Sequence, residues 1–221
     1  SALLDAIRRP RTGATVLSAT EDVSGKGKRV LLVDHQDSFV HTLANYFRQT
    51  GAEVITLRSG FDYAELDRLK PHLVVLSPGP GTPQDFNVSA TIGAALTRQL
   101  PMFGVCLGLQ GMVEHFGGKL GVLDYPMHGK PSIIRILGGR VFEGLPREIT
   151  AGRYHSLYGV RDTLPKELQV TAESDDGIVM AIEHATLPLA AVQFHPESIL
   201  TLADDVGRRL IANVVTKLAK A

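Results

Sequence analysis

Four short, almost wholly apolar runs, Val30–Val33, Val54–Leu57, Leu73–Leu76 and Met102–Val105, alternate with segments that fit helices. A strand that is apolar on both faces must be covered on both faces. A parallel sheet with helices packed on either side does this. The spacing predicts helices over 39–50, 63–70 and 88–99. Ser38 is expected to cap the first and Gly51 to close it, while Pro71 stops the second. Beyond Met102–Val105 a helix-compatible run extends from Leu107 to Phe116.

The second half has more β character. Strands are expected over 132–136, 168–173, 178–183 and 189–194, and a last helix over about 203–219. The fold class is therefore α/β: a mostly parallel central sheet flanked by helices, with a smaller mixed or antiparallel β element in the C-terminal half.

Residues 1–28 read differently. Ala2 to Arg9 fits two turns of helix, and Pro10 to Lys28 is small, polar and charged. Such a segment buries little surface, so 1–28 is expected to be a linker or N-terminal arm and 29–221 the folded domain. The Gly25-Lys26-Gly27-Lys28 tract lacks the spacing of a phosphate-binding loop. The chain begins without methionine, as a processed chain or a fragment of a longer polypeptide would.

The 23 basic and 23 acidic residues balance, which argues against nucleic acid or an anionic membrane as the main partner. A single cysteine cannot form an internal disulfide, which fits a cytoplasmic location. No apolar run approaches the ~20 residues of a membrane span.

That cysteine lies in Gly104-Val105-Cys106-Leu107-Gly108, between an expected strand and an expected helix. This is the sequence form of a nucleophile elbow, with sulfur in place of serine oxygen. Small neighbours are needed at so sharp a turn. Backbone N–H groups and the positive end of the helix favour thiolate. The plain alternative is a buried cysteine packed as a small hydrophobe.

Two further clusters fall where the chemistry needs them. Gly79-Pro80-Gly81 follows the third strand, so it lies at the same sheet edge as the elbow. A glycine turn there can aim a free N–H at a developing oxyanion. Downstream, Gln193-Phe194-His195-Pro196-Glu197-Ser198 places a histidine and a carboxylate two apart, on one side of an extended strand. A histidine oriented by a carboxylate is the base a cysteine nucleophile requires. A metal site is the rival reading, but no further His/Cys cluster supplies the missing ligands.

Taken together, Ser77-Pro-Gly-Pro-Gly81, Gly104-Val-Cys-Leu-Gly-Leu-Gln110 and Gln193-Phe-His-Pro-Glu-Ser198 resemble the motifs of the class I, triad-type glutamine amidotransferases, in that family's order and spacing. The resemblance covers 29 to about 219. Within the family, His128-Gly-Lys130, Arg153-Tyr-His-Ser-Leu157 and Glu197-Ser-Ile-Leu200 look most like the amidotransferase part of anthranilate synthase, with the para-aminobenzoate branch very similar.

The resemblance implies roles. Cys106 would attack the glutamine side-chain amide, His195 would shuttle protons and Glu197 would orient it. The N–H groups of Leu107 and Gly79 would form the oxyanion hole. Gln110, Gly81, Ser156 and Leu157 would hold the glutamine. Glutamate would leave through a thioester, and ammonia would pass to a chorismate-binding synthase, either a separate chain or a fused domain whose tail is residues 1–28. The alternatives are supply to aminodeoxychorismate synthesis, or an inactive module that only binds or regulates. This domain would need no cofactor and no metal, while the synthase partner would use Mg2+. Leu109 departs from the pattern: many relatives carry histidine there.

Overall fold

The computed structural model describes residues 22–201 and 203–221. The first half runs β1 (Arg29–Asp34), α1 (Val40–Gln49), β2 (Glu53–Arg58), α2 (Ala64–Leu69), β3 (Leu73–Leu76), α3 (Val88–Thr97), β4 (Met102–Val105) and α4 (Leu107–His115). Strands β5 (Leu120–Val122), β6 (Lys130–Ile136), β7 (Glu148–Arg153), β8 (Leu157–Gly159), β9 (Leu168–Ser174), β10 (Val179–His184) and β11 (Leu189–Val192) follow, then α5 (Val206–Lys217).

Nine strands form one sheet in the order β2-β1-β3-β4-β11-β10-β9-β6-β7. The pairs from β2 to β11 are parallel, and those from β11 to β7 antiparallel. The antiparallel element expected in the second half thus continues the parallel strands edge to edge. A separate two-stranded antiparallel sheet pairs β5 with β8.

The period of two decides which helix covers which face. Val30 and Leu32 of β1, with Val75 and Phe103, pack against Leu43 and Phe47 of α1 and Leu210 and Val214 of α5. Leu31 and Val33, with Val74, Leu76 and Met102, face Leu66 of α2, Ile92 of α3 and Met112 of α4. All of these strand side chains are fully buried. At ~25 cal/mol per Å2 of apolar surface, two such layers are the main favourable term for folding.

Several boundaries differ from the sequence expectation. Ser38 is exposed and caps nothing; the Asp37 carboxylate instead accepts the Phe39 N–H at 2.8 Å, and α1 begins at Val40. Asp closes such a turn on an N–H two residues on, as readily as Ser caps a helix. Gly51 closes the helix as expected, with φ +87° and its N–H on Arg48 O at 2.9 Å. Strands β5 and β8, three residues each, and β7, whose Glu148-Ile-Thr-Ala-Gly-Arg153 has few apolar residues, gave no run to read. The last helix starts at Val206 because Asp205 is left-handed, φ +56°.

Of the expected arm, residues 22–28 form a turn that Gly25 N fastens to Thr50 O at 2.8 Å; the helix expected over Ala2–Arg9 lies outside the described residues. No helix among the described residues is long and apolar enough to cross a membrane.

The strand–turn–helix at Cys106 is packed without slack. A Cβ on Gly104 would sit 2.7 Å from the Gly108 carbonyl carbon, and one on Gly108 would sit 2.7 Å from Leu76 O. Both obstacles are backbone, so neither moves cheaply. Gly108→Ala should therefore cost roughly 1–3 kcal/mol of stability by overpacking, read as a lower urea midpoint. An unchanged midpoint would show that α4 can lift from β3 freely.

Candidate active site

Cys106 holds a rare backbone conformation, φ +55° and ψ −97°, between β4 and α4. A side chain there is strained by about 1–3 kcal/mol and persists only if its surroundings hold it. They do: Cys106 N–H donates to Val192 O of β11 at 2.8 Å, and Cys106 O accepts the Gln110 N–H of α4 at 3.1 Å. The sulfur is thereby presented beyond the C-terminal ends of β3, β4 and β11, the edge where open α/β sheets place ligands.

A cavity of about 210 Å3 opens beside it, lined by Gly79, Gly81, Cys106, Gln110, Ser156 and Leu157 among others. Six of the nine residues singled out from the sequence thus share one cavity. Leu107 is buried and does not line it. His195 and Glu197 lie behind the sulfur, 2% and 3% exposed.

His195 Nδ1 and Glu197 Oε1 are 2.6 Å apart. The route to this pairing differs from the expected strand. β11 ends at Val192, and His195-Pro196-Glu197-Ser198 is a turn closed by Ser198 N–H on His195 O at 3.2 Å. Proline presets the second position of such a turn. His195 N–H donates to Gly152 O of β7 at 3.0 Å, and Thr201 Oγ1 donates to His195 O at 2.7 Å, so the imidazole is anchored at its backbone on both sides. Phe39 and Tyr154 meet its ring edge-on at 5.3 and 5.0 Å.

Burial pushes the His195 imidazole towards neutrality. The Glu197 carboxylate and the Cys106 sulfur push harder the other way, so His195 stands well above its usual value. Nε2 is buried without a hydrogen-bond partner, and the Cys106 sulfur is near enough to help raise the ring's pKa. An imidazolium held beside a cysteine sulfur stabilises the thiolate. The arrangement suits nucleophilic attack on a carbonyl carbon, with the imidazolium ready to protonate a leaving amine.

Several residues here were given no role from the sequence, although His128, Arg153 and Gln193 stand in its quoted motifs. Met127 and His128 line the cavity. Gln193, wholly buried, donates Nε2–H to Cys106 Sγ at 3.4 Å; its place two residues before His195 was the available signal. Arg153 is buried although charged, with Nη1 3.3 Å from Asp176 Oδ1. Its Nε–H donates to His155 Nε2 at 3.0 Å, while His155 Nδ1–H donates to Leu157 O at 2.8 Å. Those two bonds fix His155 as a neutral tautomer. Burial lowers its pKa to about 4, against the help of the Leu157 bond.

His35, set aside from sequence, lies under the Gly79 turn, donating Nδ1–H to Ser77 O at 2.9 Å; burial lowers its pKa. Leu109 is fully buried in the apolar layer of α4. Among the described residues no group of three or more His, Cys, Asp or Glu is arranged to hold a metal ion.

Comparison with known proteins gives a consistent picture. The family model described as glutamine amidotransferase class-I matches residues 31–215. An anthranilate synthase of Azospirillum brasilense is 60% identical over 219 residues, 99% of this chain, which spans only 30% of that protein's length. The aminodeoxychorismate synthase component 2 of Escherichia coli is 43% identical over 83% of this chain and 97% of its own. Among solved structures, a protein assigned to GMP synthase from Thermoplasma acidophilum superposes with TM-score 0.76 at 26% identity, covering 85% of this chain and 92% of that one.

The neutral His155 has a consequence for stability. Its folded pKa lies below the unfolded value near 6.5, so stability from this site is present above 6.5 and is lost as pH falls towards about 4. The gap corresponds to about 3 kcal/mol. His155→Gln keeps a donor for Leu157 O and an acceptor for Arg153 but does not titrate. Urea unfolding should show the native chain losing its advantage over this variant between pH 6.5 and 4. A pH-independent difference would contradict a neutral buried His155.

Proposed function

The chain belongs to the class I glutamine amidotransferases, and on that premise we propose that it hydrolyses L-glutamine through a Cys106 thioester and delivers the ammonia to a chorismate-converting synthase that forms anthranilate. The observation that carries the reading is the Cys106–His195–Glu197 constellation, its sulfur lining the 210 Å3 cavity and its imidazole and carboxylate buried behind.

The Cys106 thiolate attacks the side-chain carbonyl carbon of glutamine. The N–H groups of Leu107 and Gly79 take the oxyanion, a contribution worth roughly 3 kcal/mol per donor in other enzymes. As the carbon–nitrogen bond breaks, His195 gives its Nε2 proton to the departing ammonia and the thioester remains. Water, deprotonated by the now neutral imidazole, attacks the thioester; glutamate leaves and the sulfur is restored. Glu197, on Nδ1, holds the ring in one tautomer throughout. Gly81, Gln110, Ser156 and Leu157 hold the substrate, and their shared cavity with Cys106 supports this. Sulfur, imidazole and water suffice for these steps, so no cofactor is required in this domain.

The anthranilate branch rests on 60% identity across nearly the whole chain to the Azospirillum protein. That alignment takes in most of residues 1–28 as well, since it covers 99% of the chain, whereas the Escherichia coli component matches 83%. This supports the arm as the tail of a linker from a fused synthase domain. The second reading, supply to aminodeoxychorismate synthesis, has its own support in the 43% identity to that component. Ammonia is protonated in neutral water and ammonium is not a nucleophile, so transfer must be direct in either case.

Ammonia release from glutamine should be low for these residues alone and rise with the synthase and chorismate; the aromatic product separates the two branches. Cys106→Ser should abolish it and remove covalent labelling by a glutamine-analogue electrophile. Absence of labelling in the native chain, with partner present, would leave only a binding module.

Glu197→Gln tests the base. Losing the carboxylate removes what holds His195 up, so the imidazolium gives up its proton at lower pH. The alkaline limb of the kcat profile should move towards acid, with kcat reduced roughly 10²-fold or more. An unmoved limb would mean that Glu197 does not govern the ring.

A further inference from the structure

We infer that Gln193 is a positioning residue for the nucleophile, holding the Cys106 sulfur as thiolate through an amide whose orientation is dictated from the substrate cavity. The inference rests on the glutaminase reading and adds a residue to it.

The orientation can be deduced from one carbonyl. Leu157 O can only accept. Gln110 Nε2 lies 3.1 Å from it, so the Gln110 amide must turn its nitrogen that way. The same nitrogen lies 3.4 Å from Gln193 Oε1 and donates its second proton there. Gln193 therefore shows its oxygen to Gln110 and its NH2 group to Cys106 Sγ, 3.4 Å away. Flipping Gln193 would set one NH2 against another and turn a carbonyl oxygen towards the sulfur. The first contact is repulsive in every state and the second once the sulfur is a thiolate, so the flipped state is disfavoured. Gln193 is wholly buried, and its backbone N–H is tied to Met180 O at 2.8 Å, so the side chain has no water to turn to.

The sulfur meets a different partner in each protonation state. As a thiol it has Tyr154 O at 3.8 Å as an acceptor for its proton. As a thiolate it needs donors, and Gln193 supplies one while His195 supplies the charge. Gln110 and Leu157 line the cavity, so the Gln193 donor is set by groups in contact with the substrate space. A buried glutamine serving packing alone would satisfy its amide too, but removing its donor would leave the titration of the sulfur where it was.

The test uses Gln193→Met, which fills the space without a donor, and Gln193→Glu, which keeps the length and replaces the donor by a carboxylate. Two readouts are taken: the pH dependence of Cys106 alkylation by iodoacetamide, and steady-state glutamine hydrolysis by the full chain with its synthase and chorismate. Gln193→Met should raise the alkylation midpoint by about one pH unit and lower kcat about tenfold, with KM for glutamine changed less than about twofold. Gln193→Glu should raise the midpoint further. Should Gln193→Met fail to fold, Gln193→Glu carries the same alkylation readout.

A midpoint unmoved in both variants, or a loss appearing only in KM, overturns the inference and leaves Gln193 as packing or as a brace for Gln110. Failure of the glutaminase reading looks different: native chain alkylated at Cys106 yet releasing no ammonia with synthase and chorismate.

Discussion

One residue in a conformation it would not choose governs this molecule. Cys106 takes a positive φ because β4, α4 and β11 leave it no alternative: its N–H is committed to β11 and its carbonyl to α4. The glycines on either side are consequences, since the backbone of α4 must approach β3 and β4 closely for the turn to be that sharp. The apolar layers on both faces of the sheet hold the strain in place, because relaxing the turn would mean separating elements that bury Leu76, Met102 and Leu107 completely.

The first half of the chain was legible because its signal is redundant. Leu73–Leu76 and Met102–Val105 are bounded in the structure as their apolar runs are bounded in the sequence. Where one weak cue stood alone, it failed. Ser38 looked like a cap, but its neighbour Asp37 closes the turn. β7 shows only Ile149 and Ala151 as apolar residues on its buried side, and pairing with β6 rather than its own pattern makes it a strand.

The site was legible in composition and less so in geometry. Gly79, Gly81, Cys106, Gln110, Ser156 and Leu157 come together as the motifs implied. The His195–Glu197 pair forms across a proline turn, where alternation along a strand was expected, since β11 stops at Val192. Gln193 and Arg153 stood inside quoted motifs without a role, because the Gln193 amide meets a sulfur and a second amide from far along the chain and Arg153 meets Asp176 besides its near neighbour His155. No local pattern encodes the long-range contacts among these.

The bridge between His195 and Gly152 has an effect that sheet order conceals. β11 and β7 are separated by β10, β9 and β6, yet the residue three past the end of β11 bonds back to β7. A single backbone bond therefore ties the loop carrying the imidazole to the terminal strand of the antiparallel half. A substitution that displaces β7 at Gly152 acts directly on the backbone of the residue that carries the imidazole. The strand most remote from β2 thus helps fix where the imidazole stands.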